Sequence, residues 1–216
     1  MRRDYALLIF DWDGTLADST AQIVEGVQHA FAAQQLPPPT AAAVRHIIGL
    51  SLSEAVYRLQ PDLNPAQTEA VIEAYKNHYF TRRSPTRLFD DALPVLNLLK
   101  QHHWLAVATG KGRRGLDLAM QETGSGDFFL ATRTVDECAA KPQPEMVLSL
   151  CEELGVRPAD ALVIGDTTHD LNMAYNARSP AVALTTGAHS AAELQQAPHA
   201  AMLGGLRELA QWLGHD

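Results

Sequence analysis

The sequence has almost no cysteine. Cys138 and Cys151 are the two among 216 residues, they form no C-x-x-C pair, and they are too few for a disulfide framework. A reducing, cytoplasmic setting is therefore the expectation. Basic runs are lacking too: the net charge is −8, and pairs such as Arg113-Arg114 are too short to make a patch. That argues against a nucleic acid or an anionic membrane as partner. Long apolar runs are absent. Leu7 to Phe10 is broken at Asp11, too short for a signal peptide or a membrane span. The nine histidines include no H-x-x-x-H, so no zinc site is expected. No internal repeat or low-complexity tract appears. What remains is an ordinary composition, 46% hydrophobic and 19% charged, in a chain long enough for one large domain or a core with an insert.

The pattern along the chain divides in three. Leu7 to Phe10 is an unbroken apolar run suited to a strand buried on both faces of a parallel sheet. From Leu16 to Arg87 no strand pattern appears. Instead come helical periodicities with start signals: Ser19 or Thr20, Thr40, Ser51 or Ser53, and Asn64-Pro65. This stretch is expected to be an all-helical insertion. Alternation of strand and helix then returns, with strands expected at 104–109, 128–131, 161–165 and 181–184 and helices at 91–101, 113–123, 144–154, 169–177 and 206–213. The predicted fold class is α/β: a doubly wound, mostly parallel sheet, residues 1–16 and 86–216, interrupted by an all-helical unit over 17–85.

In such sheets ligands bind at the carboxyl ends of strands. Four strand ends or loops carry chemical residues. Asp11-Trp12-Asp13-Gly14 follows the first strand, and acids one residue apart share a face while extended geometry lasts. A carboxylate is anionic at neutral pH and can attack phosphorus without a base to activate it. A second acid crowded by the first is suited to protonating a leaving oxygen. Thr109-Gly110-Lys111 follows the second strand, where a hydroxyl and backbone N–H groups can hold phosphate oxygens, although Thr-Gly is ordinarily a turn. Lys141-Pro142 precedes a helix; a lone loop lysine is ordinarily a solvated charge. Gly165-Asp166-Thr167-Thr168-His169-Asp170 ends another strand, with Asp166 placed for a hard cation and Asp170 one helical turn on, as orienter or helix cap. Convergence of Asp11, Asp13 and Asp166 would cost roughly 10 kcal/mol in mutual repulsion, at about 3 kcal/mol for each pair of unit charges. A cation is needed to hold them together, and Mg2+ fits best because it takes few carboxylates.

These four segments, in this order, resemble the motifs of the haloacid dehalogenase superfamily in its phosphatase branch. The second acid, Asp13, separates them from dehalogenases proper. The helical insertion resembles the cap of phosphoglycolate phosphatase-like members, and the resemblance implies a Rossmann-like core. It further implies that Asp11 is the nucleophile, Asp13 the acid and then base, and Thr109 and Gly110 the phosphate binders. Lys141 would neutralise nucleophile and phosphate, Asp11, Asp13 and Asp166 would hold Mg2+, and Asp170 would support them. The reaction would be Mg2+-dependent hydrolysis of a small soluble phosphomonoester, phosphoglycolate-like or a sugar phosphate, through an aspartyl phosphate, by a monomer or weak homodimer. Arg45, Lys111 and Arg113 are candidates to meet the substrate, and Arg45 would favour one with a second negative charge. A phosphomutase of the beta-phosphoglucomutase type and an inorganic pyrophosphatase are the alternatives. A phosphonate hydrolase would need a cap lysine, and Lys76 is expected to lie away from the mouth.

Overall fold

The computed structural model describes residues 4–81 and 84–215. The chain begins with strand β1 (Leu7–Phe10) and continues through helices α1 (Thr20–Ala33), α2 (Ala41–Ile47), α3 (Leu52–Leu59) and α4 (Pro65–Thr81). It then alternates: α5 (Ala92–Leu99), β2 (Trp104–Ala108), α6 (Arg113–Thr123), β3 (Ala131–Arg133), α7 (Glu145–Leu154), β4 (Ala161–Gly165), α8 (Thr168–Asn176), β5 (Ala181–Leu184), α9 (Ala191–Leu194), β6 (Ala201–Leu203) and α10 (Leu206–Leu213). The strands form one six-stranded parallel sheet in the order β3-β2-β1-β4-β5-β6.

The period-two geometry of a strand sorts side chains between two faces. Leu8, Phe10, Leu105, Val107, Leu162, Ile164, Val182 and Leu184 point to one face, under α5, α6 and α10. Leu7, Ile9, Ala106, Ala108, Ala161, Val163, Ala181 and Ala183 point to the other, under α7 and α8. The second face is dominated by alanine, so α7 and α8 lie close upon it. Phe10 is level with Val107 and with Ile164. The residues just past β1, β2 and β4 therefore emerge side by side, which is what gathers the site.

Helices α1 to α4 surround their own buried cluster, including Val27, Phe31, Val44, Val56 and Ile72. The chain leaves and returns through adjacent segments: Asp18 N donates to Arg87 O at 2.9 Å and Phe89 N to Leu16 O at 3.0 Å. Start signals act as read at three of these helices. Thr40 accepts from Ala43 N, Ser51 from Glu54 N, and Asn64 Oδ1 from Gln67 N. Ser19 precedes α1 without capping it.

One strand expectation is corrected and one strand was missed. Residues 126–128 form a short 3-10 turn and the strand begins at Ala131, because Phe128 and Phe129 are apolar in order to pack against the sheet from a turn. The three-residue edge strand β6 was not anticipated; its pairing to β5 makes it a strand, with no apolar run long enough to announce it.

The alanine face generates a stability prediction. Ala106 is fully buried on β2, between β1 and the edge strand β3. Ala106→Leu should lower stability by about 1–3 kcal/mol through overpacking, read as a lower urea midpoint. An unchanged midpoint would show that α7 and α8 leave room there.

Candidate active site

Asp11 continues from β1, its N–H donating to Ile164 O at 2.8 Å. Trp12 then turns the opposite way into the core, edge-on to Phe129, which leaves Asp11 and Asp13 to face the cavity. Gly14 has φ +88, and a Cβ there would stand 2.2 Å from Asp166 Oδ2. Only glycine allows the turn after β1 to press against the acid that ends β4. Thr15 Oγ1 completes that contact, donating to Asp166 Oδ1 at 2.7 Å, while Ala188 N donates to Oδ2 at 2.7 Å.

Lys141 is inserted between two of the acids, Asp11 and Asp170. Its Nζ lies 2.6 Å from Asp11 Oδ1 and 2.6 Å from Asp170 Oδ1, and all three side chains are buried. The lysine read as an ordinary loop charge is thus 2% exposed. Burial alone would lower its pKa, but the charges of Asp11 and Asp170 raise it instead. Burial likewise works against Asp170, yet the Lys141 ammonium holds its carboxyl below the usual value. Asp170 Oδ2 also accepts from Thr167 N and Oγ1, at 3.1 and 2.7 Å. Orienter and helix cap turn out to be one role for two oxygens.

Asp11 is less well provided for. Burial pushes its carboxyl up to about 7 against the pull of Lys141, and Oδ2 is buried with no hydrogen-bond partner. Asp166 is raised well above its ordinary value by burial and then by Asp11. Oxygens of Asp11, Asp166 and Asp170 come within 4.8 Å of one another. One ammonium cannot neutralise three buried carboxylates. The deficit, the orphaned oxygen and the all-oxygen donor set fit a hard dication.

Asp13 points elsewhere. Its Oδ1 accepts from Ser19 Oγ at 2.7 Å, and its Oδ2 pairs with Lys111 Nζ at 2.9 Å. Any share Asp13 has in holding a metal therefore rests on its backbone carbonyl. Lys111 is half-buried and also lies over the ring of Tyr79 on α4, 4.8 Å from its centroid. Thr109 is buried, its hydroxyl accepting from Lys111 N at 3.2 Å. A Cβ on Gly110 would meet Gly49 O at 2.4 Å, so the helical unit presses directly on this loop.

A cavity of about 680 Å³ lies between the two units, with Asp11, Asp13, Thr109, Gly110 and Lys111 on one wall and residues of α1 to α4 on the other. Arg45 is exposed on α2 and does not line it. Arg113 is not on its wall either: Glu137, Asp117 and Thr132 occupy its guanidinium. Lys76, expected away from the mouth, does border the cavity, because the long helix α4 runs along its edge. Its hydrogen bond to Glu73 raises its pKa, opposite to what a Schiff-base lysine needs. Sequence reading missed Thr15 and Ser19 as partners of the acids, since both looked like turn and cap residues. It also missed His46, His189 and Glu193, whose possible ligand atoms lie within 4.8 Å of one another. His46 and His189 are 143 positions apart, and no spacing rule could join them.

A model of the haloacid dehalogenase-like hydrolase family matches residues 8–184. The probable phosphatase IndB of Dickeya dadantii is 34% identical over 199 residues, covering 88% of this chain and 86% of that one. A phosphoglycolate phosphatase of Agrobacterium fabrum is 28% identical over 188 residues, covering 84% and 81%. Among solved structures, a haloacid dehalogenase-like hydrolase from Bacteroides fragilis superposes with a TM-score of 0.88 at 28% identity, covering 95% of this chain and 99% of that one. With the buried acids and lysine of the strand ends, these matches make the chain a member of the haloacid dehalogenase-like hydrolase family and a phosphatase.

Proposed function

We propose that the chain is a Mg2+-dependent phosphatase that hydrolyses a small, soluble phosphomonoester through an aspartyl phosphate on Asp11. The observation that supports this best is the buried Asp11, held by Lys141 on one oxygen, unpartnered on the other, and facing a cavity beside a second carboxylate. In this reading residues 1–16 and 86–216 are the catalytic core, and 17–85 a helical cap that excludes water and bulky polymers.

Asp11 attacks phosphorus as the bond to the ester oxygen breaks, and Asp13 gives that oxygen its proton. Asp13 then takes a proton from water, whose oxygen attacks the same phosphorus. The bond to Asp11 breaks, and inorganic phosphate leaves. Thr109 and the backbone of Gly110 bind phosphate oxygens, while Lys141 neutralises charge gathering on them. Asp170 holds Lys141 in place. Asp11, Asp166 and the Asp13 carbonyl would hold Mg2+, which when bound supplies the positive charge that lets a carboxylate approach a phosphate. Lys111, beside Asp13, meets the substrate as it arrives. Among the described residues no helix is long and apolar enough to cross a membrane. A cytoplasmic monomer or weak homodimer remains the working expectation.

Asp11→Asn should leave the fold intact and abolish turnover; more than a few per cent of the original rate would remove Asp11 as nucleophile. Asp13→Asn should cost about 10²–10⁴-fold in kcat, and an effect confined to KM would refute its acid and base role. Excess chelator should stop the reaction and Ca2+ should fail to restore it, because its looser coordination misplaces the attacking oxygen. Full activity in chelator would contradict the metal assignment. A phosphate-release screen across small phosphoesters, pyrophosphate and a phosphopeptide decides the substrate class. A clear win for pyrophosphate or phosphopeptide would overturn the monoester reading. Conversion of a hexose 1-phosphate to its 6-phosphate without phosphate release would establish the mutase.

A further inference from the structure

A second group of metal-type donors lies on the seam between the helical unit and the sheet domain, outside the cavity beside Asp11. His46 is in the last turn of α2, His189 in the loop after β5, and Glu193 on α9. One ligand atom from each lies within 4.8 Å of the other two. His46 Nδ1 stands 3.3 Å from Glu193 Oε1. Donors on a tetrahedral Zn2+ ion are about 3.4 Å apart, given bonds of about 2.0–2.1 Å. That pair is therefore already at the right spacing, and His189 has to close no more than about 1.4 Å.

Each donor is also held from behind, as metal ligands are. Glu193 Oε2 accepts from Ser190 N and Oγ at 2.8 and 2.7 Å, in the capping box of α9. Those bonds push the Glu193 carboxyl down to about 2, and they leave Oε1 turned to His46. His189 Nδ1 accepts from Thr168 N at 3.1 Å, while its Nε2 donates to His46 O at 3.3 Å. His169 Nε2 donates to the same carbonyl at 3.0 Å. The carbonyl thus keeps a partner when His189 Nε2 gives up its proton to face an ion. A proton on Nδ1 then restores the neutral ring, 3.4 Å from Thr168 Oγ1 as acceptor, and Thr168 N loses one bond. The side chains of His46 and Glu193 are 56% and 40% exposed, so an ion enters from solvent and water completes its shell. Two imidazoles and a carboxylate suit Zn2+, Co2+ or Ni2+, whereas Mg2+ prefers an all-oxygen set such as the acids beside Lys141.

We infer that His46, His189 and Glu193 form a second metal site, for a borderline dication of the Zn2+ class, joining the helical unit to the sheet domain. One ligand comes from the helical unit and two from the sheet domain. A bound ion therefore ties the two together on the outer side of their seam. The site does not depend on which reaction Asp11 performs.

The test is equilibrium binding of Zn2+ by the full chain in excess Mg2+, in competition with a chromophoric chelator. One equivalent of Zn2+ should bind at micromolar concentration. His46→Ala and Glu193→Gln alter side chains that reach solvent, so both variants should fold. Each should weaken binding by about a hundredfold or more, because loss of a mere supporting partner already costs about 10–100-fold. No uptake at micromolar Zn2+, or uptake left unchanged by either substitution, would overturn the site and place the ion elsewhere. Co2+ reports the geometry. Intense visible bands of a four-coordinate ion, lost in His46→Ala, are expected; the weak bands of a six-coordinate ion would contradict the assignment. Hydrogen exchange along α2 should slow when Zn2+ is added to the unchanged chain and not when it is added to His46→Ala. Exchange indifferent to Zn2+ in both would refute the tie between the units.

Discussion

Everything at this site depends on one ammonium group among three buried carboxylates. Lys141 touches Asp11 and Asp170 at 2.6 Å each, and Asp166 is close by with no cation paired to it among the described residues. Unit charges about 5 Å apart repel by roughly 3 kcal/mol at an effective dielectric near 20, and burial adds to that cost. Asp170 keeps its charge because Thr167 and Lys141 surround it. Asp11 and Asp166 are left pushed toward their neutral forms. In the proposed reaction Asp11 must be anionic to attack, so the arrangement would be complete only when further positive charge arrives. In that reading metal and substrate would meet at the same few oxygens.

The fold's part is to bring these groups to one plane. Because Phe10 is level with Val107 and Ile164, the chain past each of three neighbouring strands emerges at the same height. Gly14 then lets the turn after β1 touch Asp166, and Thr15 secures it. The helical unit is attached through two adjacent hydrogen-bonded segments, and it rests on Gly110 with the cavity between it and the acids.

Much of this was legible in the sequence because it is local. An apolar run of four ending in Asp11 marks a buried strand and its functional end at once, and Ala161 to Gly165 repeats the signal. Helix α6 begins and ends where its periodicity does. What escaped is set by tertiary contact. The edge strand β6 is too short to carry a pattern, and Phe128 and Phe129 are apolar for packing from a turn. Ser19 reads as a cap, yet its hydroxyl is needed by Asp13. Lys111 and Tyr79 meet across the two units, and so do His46 and His189. Arg45 shows the converse error: its neighbours in sequence border the cavity while its own side chain faces outward on α2, because helical periodicity turns adjacent residues to different sides.

The central claim is that Asp11 carries the phosphoryl group between two displacements. Hydrolysis, in water carrying a third oxygen isotope, of a thiophosphate ester whose phosphorus is made chiral by sulfur and two oxygen isotopes tests this directly, since each in-line displacement inverts the centre. Two displacements predict inorganic thiophosphate with retained configuration. Inversion would mean that water attacks the substrate in a single step, and that Asp11 has a different part in the reaction.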